Sequence, residues 1–444
     1  MQLKPDTTLL QACLVFAATG MALTLLRIFS DINISLGSSL WWLCFIIFIC
    51  IALLDAARIK WSKPIDCARQ LPGNLPLGSG AKIKLRFQND TNRIQSFSYT
   101  DHYPAAVITE QLPAELSVAP GQTAIAEYRV KAIKRGEADF GDIQINTLSP
   151  LKLWRYRLNI PAQQSTKVYP NFMAVANLNF LDYEQRLAHI GAHISQRRGS
   201  GQEFKQLREY QRGDEIRQID WKATSRQHRL ISREYQDERD QEIIFMLDSG
   251  RRMRAMDGDL SHFDHSLNAL LLTSYIALSA GDAVGYMSFA GNNRWLKPVK
   301  GKPAINTLLN HLYDLHSTLD ASDLTNAAEQ LLIRHQKRSL VIIISNLRDD
   351  DTDDLLKAVR MLSRKHLVLV ACLKEKCLVE GISEEPESMS EALNYAATKL
   401  YSEQRALLIK NLKARGIAVA DSTPELMHVS LVNEYMALKR AGKI

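Results

Sequence analysis

The sequence predicts an α/β chain: a doubly wound, mostly parallel sheet preceded by a β-sandwich-like domain and two transmembrane helices. Three observations carry this. Two long apolar runs lie near the N-terminus. Short alternating strands, punctuated by Gly, Pro and Asn, follow between residues 65 and 170. From residue 240 onward, continuous apolar runs alternate with helical patterns, as in parallel sheets covered on both faces. The expected boundaries are a two-span anchor over 1–60, a β-sandwich-like domain over 61–175, a charged connector over 176–240 and the α/β domain over 241–444.

The anchor comes first. Residues 9–26 are apolar apart from Gln11 and small or hydroxyl side chains, and 40–54 are uninterrupted apolar. Each run approaches the roughly 20 residues that cross hydrocarbon. A soluble helical hairpin would show a polar face, and a cleaved signal peptide would not be followed at once by a second span. Trp41 and Trp42 open the second run, where aromatic belts form. Lys4 precedes the first run and Arg58, Lys60 and Lys63 follow the second, while the link carries Asp31 and is bordered by Arg27. The positive-inside rule then places both termini in the cytoplasm of a bacterial inner membrane.

The β-sandwich-like domain rests on strands expected at 82–87, 95–100, 105–109, 123–133 and 142–147. Lys134-Arg135-Gly136-Glu137 before Phe140-Gly141 reads as a hairpin, and 148–154 reads as the exit from the domain. His102 is expected at the surface. No catalytic constellation appears, so this domain binds or spaces.

In the α/β domain, 243–247, 340–344 and 366–373 are fully apolar strands, with 282–289 a further strand and 295–299 a short edge strand. Helices are expected at 324–335, 355–364 and 402–415, the last ending at Gly416, with Pro424 opening a final helix. Sites in such sheets form beyond the carboxyl ends of strands. Those ends carry Asp248-Ser249-Gly250-Arg251-Arg252 and Ser345-Asn346-Leu347-Arg348-Asp349. The carboxylates Asp349, Asp350, Asp351, Asp353 and Asp354 suit a helix N-terminus.

Composition bounds the rest. At 444 residues with 46% hydrophobic and 23% charged, the chain is ordinary globular material of two or three domains. A net charge of +7 suits a neighbour of an anionic membrane and is compatible with nucleic acid. Yet residues 197–240 hold 11 Lys and Arg against 9 Asp and Glu, a balance of only +2. Phosphate binding needs unopposed cations, so no nucleic-acid partner is expected. Cys13, Cys44, Cys50, Cys67, Cys372 and Cys377 match no zinc spacing and are expected to be reduced and structural.

The charged connector carries the most specific pattern: Arg198-Gly199, Gly201, Glu203-Phe204, Leu207-Arg208, Tyr210, Gly213-Asp214, Arg217, Ile219-Asp220-Trp221-Lys222 and Arg226. With Arg135-Gly136 and Tyr169-Pro170, it resembles the "domain of unknown function 58" family of bacterial membrane proteins over nearly the whole chain. The resemblance implies a von Willebrand factor A-like α/β domain. It also implies a MoxR-type AAA+ ATPase as partner, with protein clients, in chaperone-like assembly or stress response.

That fold suggests a metal-ion-dependent adhesion site, an Asp-x-Ser-x-Ser loop completed by a Thr and an Asp. The match is degenerate. Asp248 is retained, Gly250 and Arg252 replace the two serines, Ser322 stands in for the Thr, and Asn346 replaces the Asp. One carboxylate beside arginines is weak cation chemistry. No metal or cofactor is therefore expected, and Arg251 or Arg252 is expected to pair with Asp248. The reading is a membrane-anchored interaction or scaffold protein, not an enzyme. Arg208, Arg217, Arg226, Asp214 and Asp220 are candidate contacts, or else they fasten the connector to the sheet with Trp221 as apolar anchor. The alternatives are a metal-dependent adhesion-type binding protein, or a hydrolase using Asp214 and Asp220; no nucleophile elbow, HExxH or Walker motif supports catalysis.

Overall fold

The computed structural model describes residues 2–29, 35–61, 63–171, 203–211, 216–236, 241–348, 352–376, 378 and 388–444. The chain divides into two compact units, residues 1–169 and 170–444.

The first unit opens with a strand that the sequence did not announce. β1 (Gln2–Pro5) precedes the helices α1 (Thr7–Phe29) and α2 (Ser35–Trp61). Windows Thr7–Leu26 and Gly37–Arg58 have mean hydropathy 2.0 and 2.4, and only 6% and 11% of them is buried within the protein. Neither is thus a core helix of a soluble fold, and their length and composition suit a bilayer. Trp41 is not a belt residue alone: it packs between the helices. Its indole N–H donates to Thr19 Oγ1 at 3.1 Å, it stacks on Phe45, and a Cβ on Gly20 would lie 2.8 Å from its ring. Trp42 is exposed. Asp31 lies outside the described residues.

The strands that follow are β2 (Asp66–Gln70), β3 (Asn74–Pro76), β4 (Gly80–Gln88), β5 (Gln95–Asp101), β6 (Val107–Ile108), β7 (Ala114–Val118), β8 (Thr123–Ala132), β9 (Gly136–Phe140), β10 (Ile143–Leu148), β11 (Trp154–Ile160) and β12 (Gln164–Tyr169). They form a five-stranded sheet β1-β11-β10-β5-β7, a four-stranded sheet β2-β4-β8-β6 and a three-stranded sheet β3-β12-β9. Period-2 alternation sets the core: Ile83, Leu85 and Phe87 of β4 are fully buried and the residues between them are exposed. At the centre, Arg69 bonds Asp101 through Nε at 2.9 Å and again through its terminal nitrogen, and also donates to Ala162 O and Gly141 O. The Tyr128 hydroxyl donates to the same carboxylate. Asp101 raises the Tyr128 pKa further, after burial, the larger cause.

Two expectations fail here. The Lys134–Gly141 stretch is not a hairpin, because β9 pairs with β12 while β10 pairs with β5 and β11. The chain changes sheets at Gly141, which alternation alone does not reveal. Residues 148–154 do not lead out of the domain; they turn β10 back into β11. The strand expected at 105–109 shrinks to β6. His102 is exposed as expected.

The second unit begins with an antiparallel pair, β13 (Glu203–Glu209) and β14 (Ile231–Gln236), with the helix α3 (Trp221–Gln227) between them in sequence. β15 (Glu242–Asp248), the short hairpin β16 (Met256–Asp257) and β17 (Leu260–Ser261), and α4 (His262–Ser279) follow. Then come β18 (Ala283–Phe289), β19 (Trp295–Lys300), α5 (Ala304–Leu312), α6 (Leu324–Arg334), β20 (Leu340–Ser345), α7 (Thr352–Ser363), β21 (Leu367–Leu373), α8 (Met389–Ala414), β22 (Ala418–Ser422) and α9 (Met427–Arg440). The main sheet has six strands in the order β19-β18-β15-β20-β21-β22, parallel except for the antiparallel edge strand β19.

Each central strand feeds two cores. In β15, Ile243, Phe245 and Leu247 pack with α4, α5 and α9, whereas Ile244 and Met246 pack with α6, α7 and α8. That is why the run is apolar without alternation. α8 starts well before the expected residue 402. Its early apolar residues Leu393 and Leu400 are exposed, so no burial period marked them. Asp354 sits in the first turn of α7 yet caps its neighbour, accepting from Leu324 N at 2.8 Å and Thr325 N at 3.1 Å at the start of α6. Asp349, Asp350 and Asp351 lie outside the described residues.

Candidate functional site

The parallel sheet brings the ends of β15, β20 and β21 side by side, and polar residues cluster there. Asp248 closes β15 and is fully buried. Its Oδ1 accepts from Ser322 Oγ at 2.7 Å and from Gly250 N at 2.8 Å. Its Oδ2 accepts from Ser345 Oγ at 2.6 Å. Neither arginine expected beside Asp248 takes this role. Arg251 and Arg252 lie on a short 3-10 turn at 251–254, where Arg251 N donates to Asp320 O. Two hydroxyls and one amide instead engage both oxygens of the buried carboxylate.

Gly250 also gains a positive explanation. A Cβ there would lie 2.5 Å from Ser322 Oγ and 2.9 Å from Asp320 O. The space that a loop serine would occupy holds the Ser322 hydroxyl instead. The loss at Gly250 and the presence of Ser322 are one packing solution.

Asn346, buried at the end of β20, donates through Nδ2 to Glu375 Oε1 at 2.8 Å and approaches His262 Nδ1 at 3.4 Å. Arg348 donates to the same Glu375 oxygen at 3.3 Å. Burial raises the Glu375 carboxyl, but the Asn346 amide and the Arg348 and His262 charges outweigh it and hold the pKa below its usual value. Burial likewise lowers His262, against the pull of Glu375 and Asp257. Asn346 Oδ1 has no hydrogen-bond partner among the described residues. No group of three His, Cys, Asp or Glu able to hold a metal ion occurs among them. Ser345 was visible in the sequence as the residue after an apolar run, but its bond to Asp248 was not. His262 and Glu375 carry no local signal, since only the parallel stacking of strands brings them to Asn346.

The signature residues form a separate small module. Asp220 caps α3, its Oδ1 accepting from Lys222 N and Ala223 N at 3.0 Å each. Its Oδ2 accepts from Arg233 Nε of β14 at 3.0 Å. The Ala223 amide, then Arg233, hold the Asp220 carboxyl below its usual pKa. Thr224 Oγ1 accepts from Ile231 N, and Tyr210 N donates to Leu230 O, closing the module on itself. Arg208 donates to Glu209 O. Of the two readings of Trp221, its exposure does not fit that of the apolar anchor. As the first residue of α3 it is 65% exposed, too open to water for an apolar anchor. Ile216 is 73% exposed nearby in sequence, and Arg217, Lys222 and Arg226 are exposed as well. Arg198 and Asp214 lie outside the described residues, as does the side chain of Glu203. Cys13, Cys44, Cys50, Cys67 and Cys372 are free thiols, burial pushing Cys67 and Cys372 up to about 12. Cys377 lies outside the described residues.

The family model described as "Protein of unknown function DUF58" matches residues 206–380. That match begins within β13, takes in the rest of the signature module and the sheet through β21, and does not extend to the first unit. No curated protein matches the chain. Among solved structures, an aerotolerance-related membrane protein from Bacteroides fragilis, carrying multiple mutations to serines, is 12% identical. It covers 45% of this chain and 99% of its own, with a TM-score of 0.26. Proximal thread matrix protein 1 from the mussel byssus is 12% identical, covering 44% of this chain and 45% of its own at a TM-score of 0.25. The region of Escherichia coli alpha-2-macroglobulin from domain MG7 to the C-terminus is 18% identical at a TM-score of 0.21, covering 24% of this chain and 17% of that one. This chain thus spans a small part of that macroglobulin, and 9% of the elastase-activated form. TM-scores this low define no shared fold.

Proposed function

We propose that the chain is a membrane-anchored interaction protein whose signature module presents a contact surface to a MoxR-type AAA+ ATPase and its protein clients, in chaperone-like assembly or stress response. The observation that carries this is the exposure of Trp221 and Ile216 among Arg217, Lys222 and Arg226. Large apolar side chains in water gain free energy when a partner covers them, and Trp and Arg are the residue types that dominate protein interfaces. The resemblance named above supplies the ATPase; the surface supplies a place for it to bind. The six-stranded sheet is read as a von Willebrand factor A-like domain without a bound cation, because both oxygens of Asp248 are engaged by hydroxyl and amide donors. A hydrolytic role for Asp220 is disfavoured for a similar reason: both of its oxygens serve the α3 cap and Arg233.

β1 and β2 lie on either side of the helical hairpin, so both of its ends meet the same β unit. With Lys4, Arg58, Lys60 and Lys63 at those ends, the positive-inside rule puts the β unit in the cytoplasm of a bacterial inner membrane. The test is recovery of a MoxR-type ATPase with tagged full-length protein from native membranes in the presence of ATP. Trp221→Ala and Arg217→Ala should each reduce recovery. No recovery with the wild type, or equal recovery with both variants, would sink the proposal.

A further inference from the structure

We propose that the turn between β10 and β11 is an anionic-phospholipid clamp, in which Lys4, Lys152 and Arg155 hold headgroup phosphates of the membrane that α1 and α2 enter. The inference rests on the membrane reading of those helices.

Depth is the first argument. The turn does not hang clear of the helices; it is bonded to their ends. Thr8 Oγ1 donates to Lys152 O, and Asp6 N donates to Leu153 O at 2.9 Å. Leu151 N donates to Asp55 Oδ1 at 3.3 Å, and the Trp154 indole N–H donates to Ala52 O at 2.8 Å. The second apolar window ends at Arg58. At 1.5 Å per residue, Ala52 lies about 9 Å inside that end. The headgroup layer on each side is roughly 5–7 Å thick. Asp55, three residues from that end, falls within this layer and Ala52 just beneath it, so a turn fastened at both sits at the boundary between headgroups and acyl chains. Trp154 has the amphipathic character that favours this level. Leu151 is 53% exposed and Leu148 42% exposed on either side of the turn, where acyl chains can cover them.

Charge is the second argument. The acids at this junction are turned inward: Asp6 and Asp55 are buried. The cations are turned outward: Lys4, Arg58, Lys63, Lys152 and Arg155 are exposed. Asp66 is the exposed acid on the same segments. Lys4 stands directly opposite Arg155 in the β1–β11 pairing. Both lie on the face of the sheet away from buried Ile143 and Ile145. Like charges directly opposite on a sheet destabilise it, and Asp6, which pairs with Arg155 at 2.8 Å, offsets only one of them. An anion between the two removes the conflict.

Lys152 is the third argument. Its φ is 58°, in the left-handed region where glycine is free of strain and lysine is not. The turn holds it there, Lys152 N donating to Ser149 O at 2.8 Å and Lys152 O accepting from Thr8 Oγ1, and a lysine kept at such a position points to a role for its exposed side chain.

The test uses the full-length protein in detergent, offered equal amounts of phosphatidylglycerol and phosphatidylcholine, with bound lipids counted by native mass spectrometry. Wild type should retain phosphatidylglycerol preferentially. The preference should fall roughly fivefold for each cation removed by Lys4→Gln, Lys152→Gly or Arg155→Gln. Lys152→Gly separates binding from folding: its backbone strain is relieved, so its melting temperature should not fall while its lipid preference does. Lys4→Arg should keep the preference. Equal retention of the two lipids by wild type, or an undiminished preference in the triple variant, overturns the clamp. Alkaline carbonate extraction of native membranes is run alongside. Release of the chain overturns the membrane reading and the clamp with it, whereas an embedded chain without lipid preference overturns the clamp alone.

Discussion

The interior of the β unit and the surface of the signature module use the same pair of residue types, arginine with aspartate, to different ends. Arg69 and Asp101 have no side-chain exposure, and Ala162 O, Gly141 O and the Tyr128 hydroxyl complete their hydrogen bonding. Arg233 and Asp220 are 47% and 15% exposed, and their contact orders a short helix cap. The sequence is far denser in charge at the second site, yet the first is the one expected to govern stability. Desolvation multiplies the cost of an unpaired charge, whereas water screens the surface pair.

Four substitutions can break or sharpen this contrast. The largest effect is expected for Arg69→Ala, which leaves the Asp101 carboxylate buried and uncompensated. Chemical denaturation should show a loss of about 3–5 kcal/mol. A loss no greater than that of a surface substitution would show that the network is not the keystone of the β unit.

Gly250→Ser comes next. Its Cβ meets the Ser322 hydroxyl and Asp320 O, and overpacking of this kind costs about 1–3 kcal/mol. Thermal unfolding should show a clear drop, partly restored when Ser322→Ala is added. Tight Mg²⁺ binding by the Gly250→Ser protein in calorimetry would revive the adhesion-site alternative.

Asp220→Ala should lower the melting temperature less than Gly250→Ser does, because the cap and the Arg233 contact are both near water. Protection of the α3 amides in hydrogen exchange should fall, with the amides of Lys222 and Ala223 affected first. A global destabilisation matching Arg69→Ala would refute the contrast. The smallest stability effect belongs to Trp221→Ala, within about 0.5 kcal/mol, since the side chain packs against little. If that change unfolds the module, Trp221 is an anchor after all and the contact surface must be sought elsewhere.

Much of the fold was legible because burial imprints a period. β4 alternates since one face of its sheet meets the core. β15 and β20 do not alternate since both faces are covered. The apolar spans were legible for the same reason in a different solvent. What escaped were elements held by remote partners: β1 is only four residues long and exists because β11 offers it an edge. The site was legible in part. Asp248, Gly250, Ser322 and Asn346 could be placed by position along strands, and the structure does gather Asp248, Gly250 and Ser322 at hydrogen-bond distance. Their roles were not legible. Whether Gly250 is a lost ligand or a needed void depends on an oxygen 72 positions away in the chain.

The sequence by itself determined the apolar anchor, the two textures of sheet and the charged module between them, because hydrophobic periodicity is a property of neighbouring residues. Only the tertiary structure decided that Trp221 faces water and that Asp248 is satisfied by serines. It alone fastened the turn at 149–153 to the ends of the membrane helices. Each of these is a contact between segments far apart in the chain, where spacing carries no information and the packing of whole elements does.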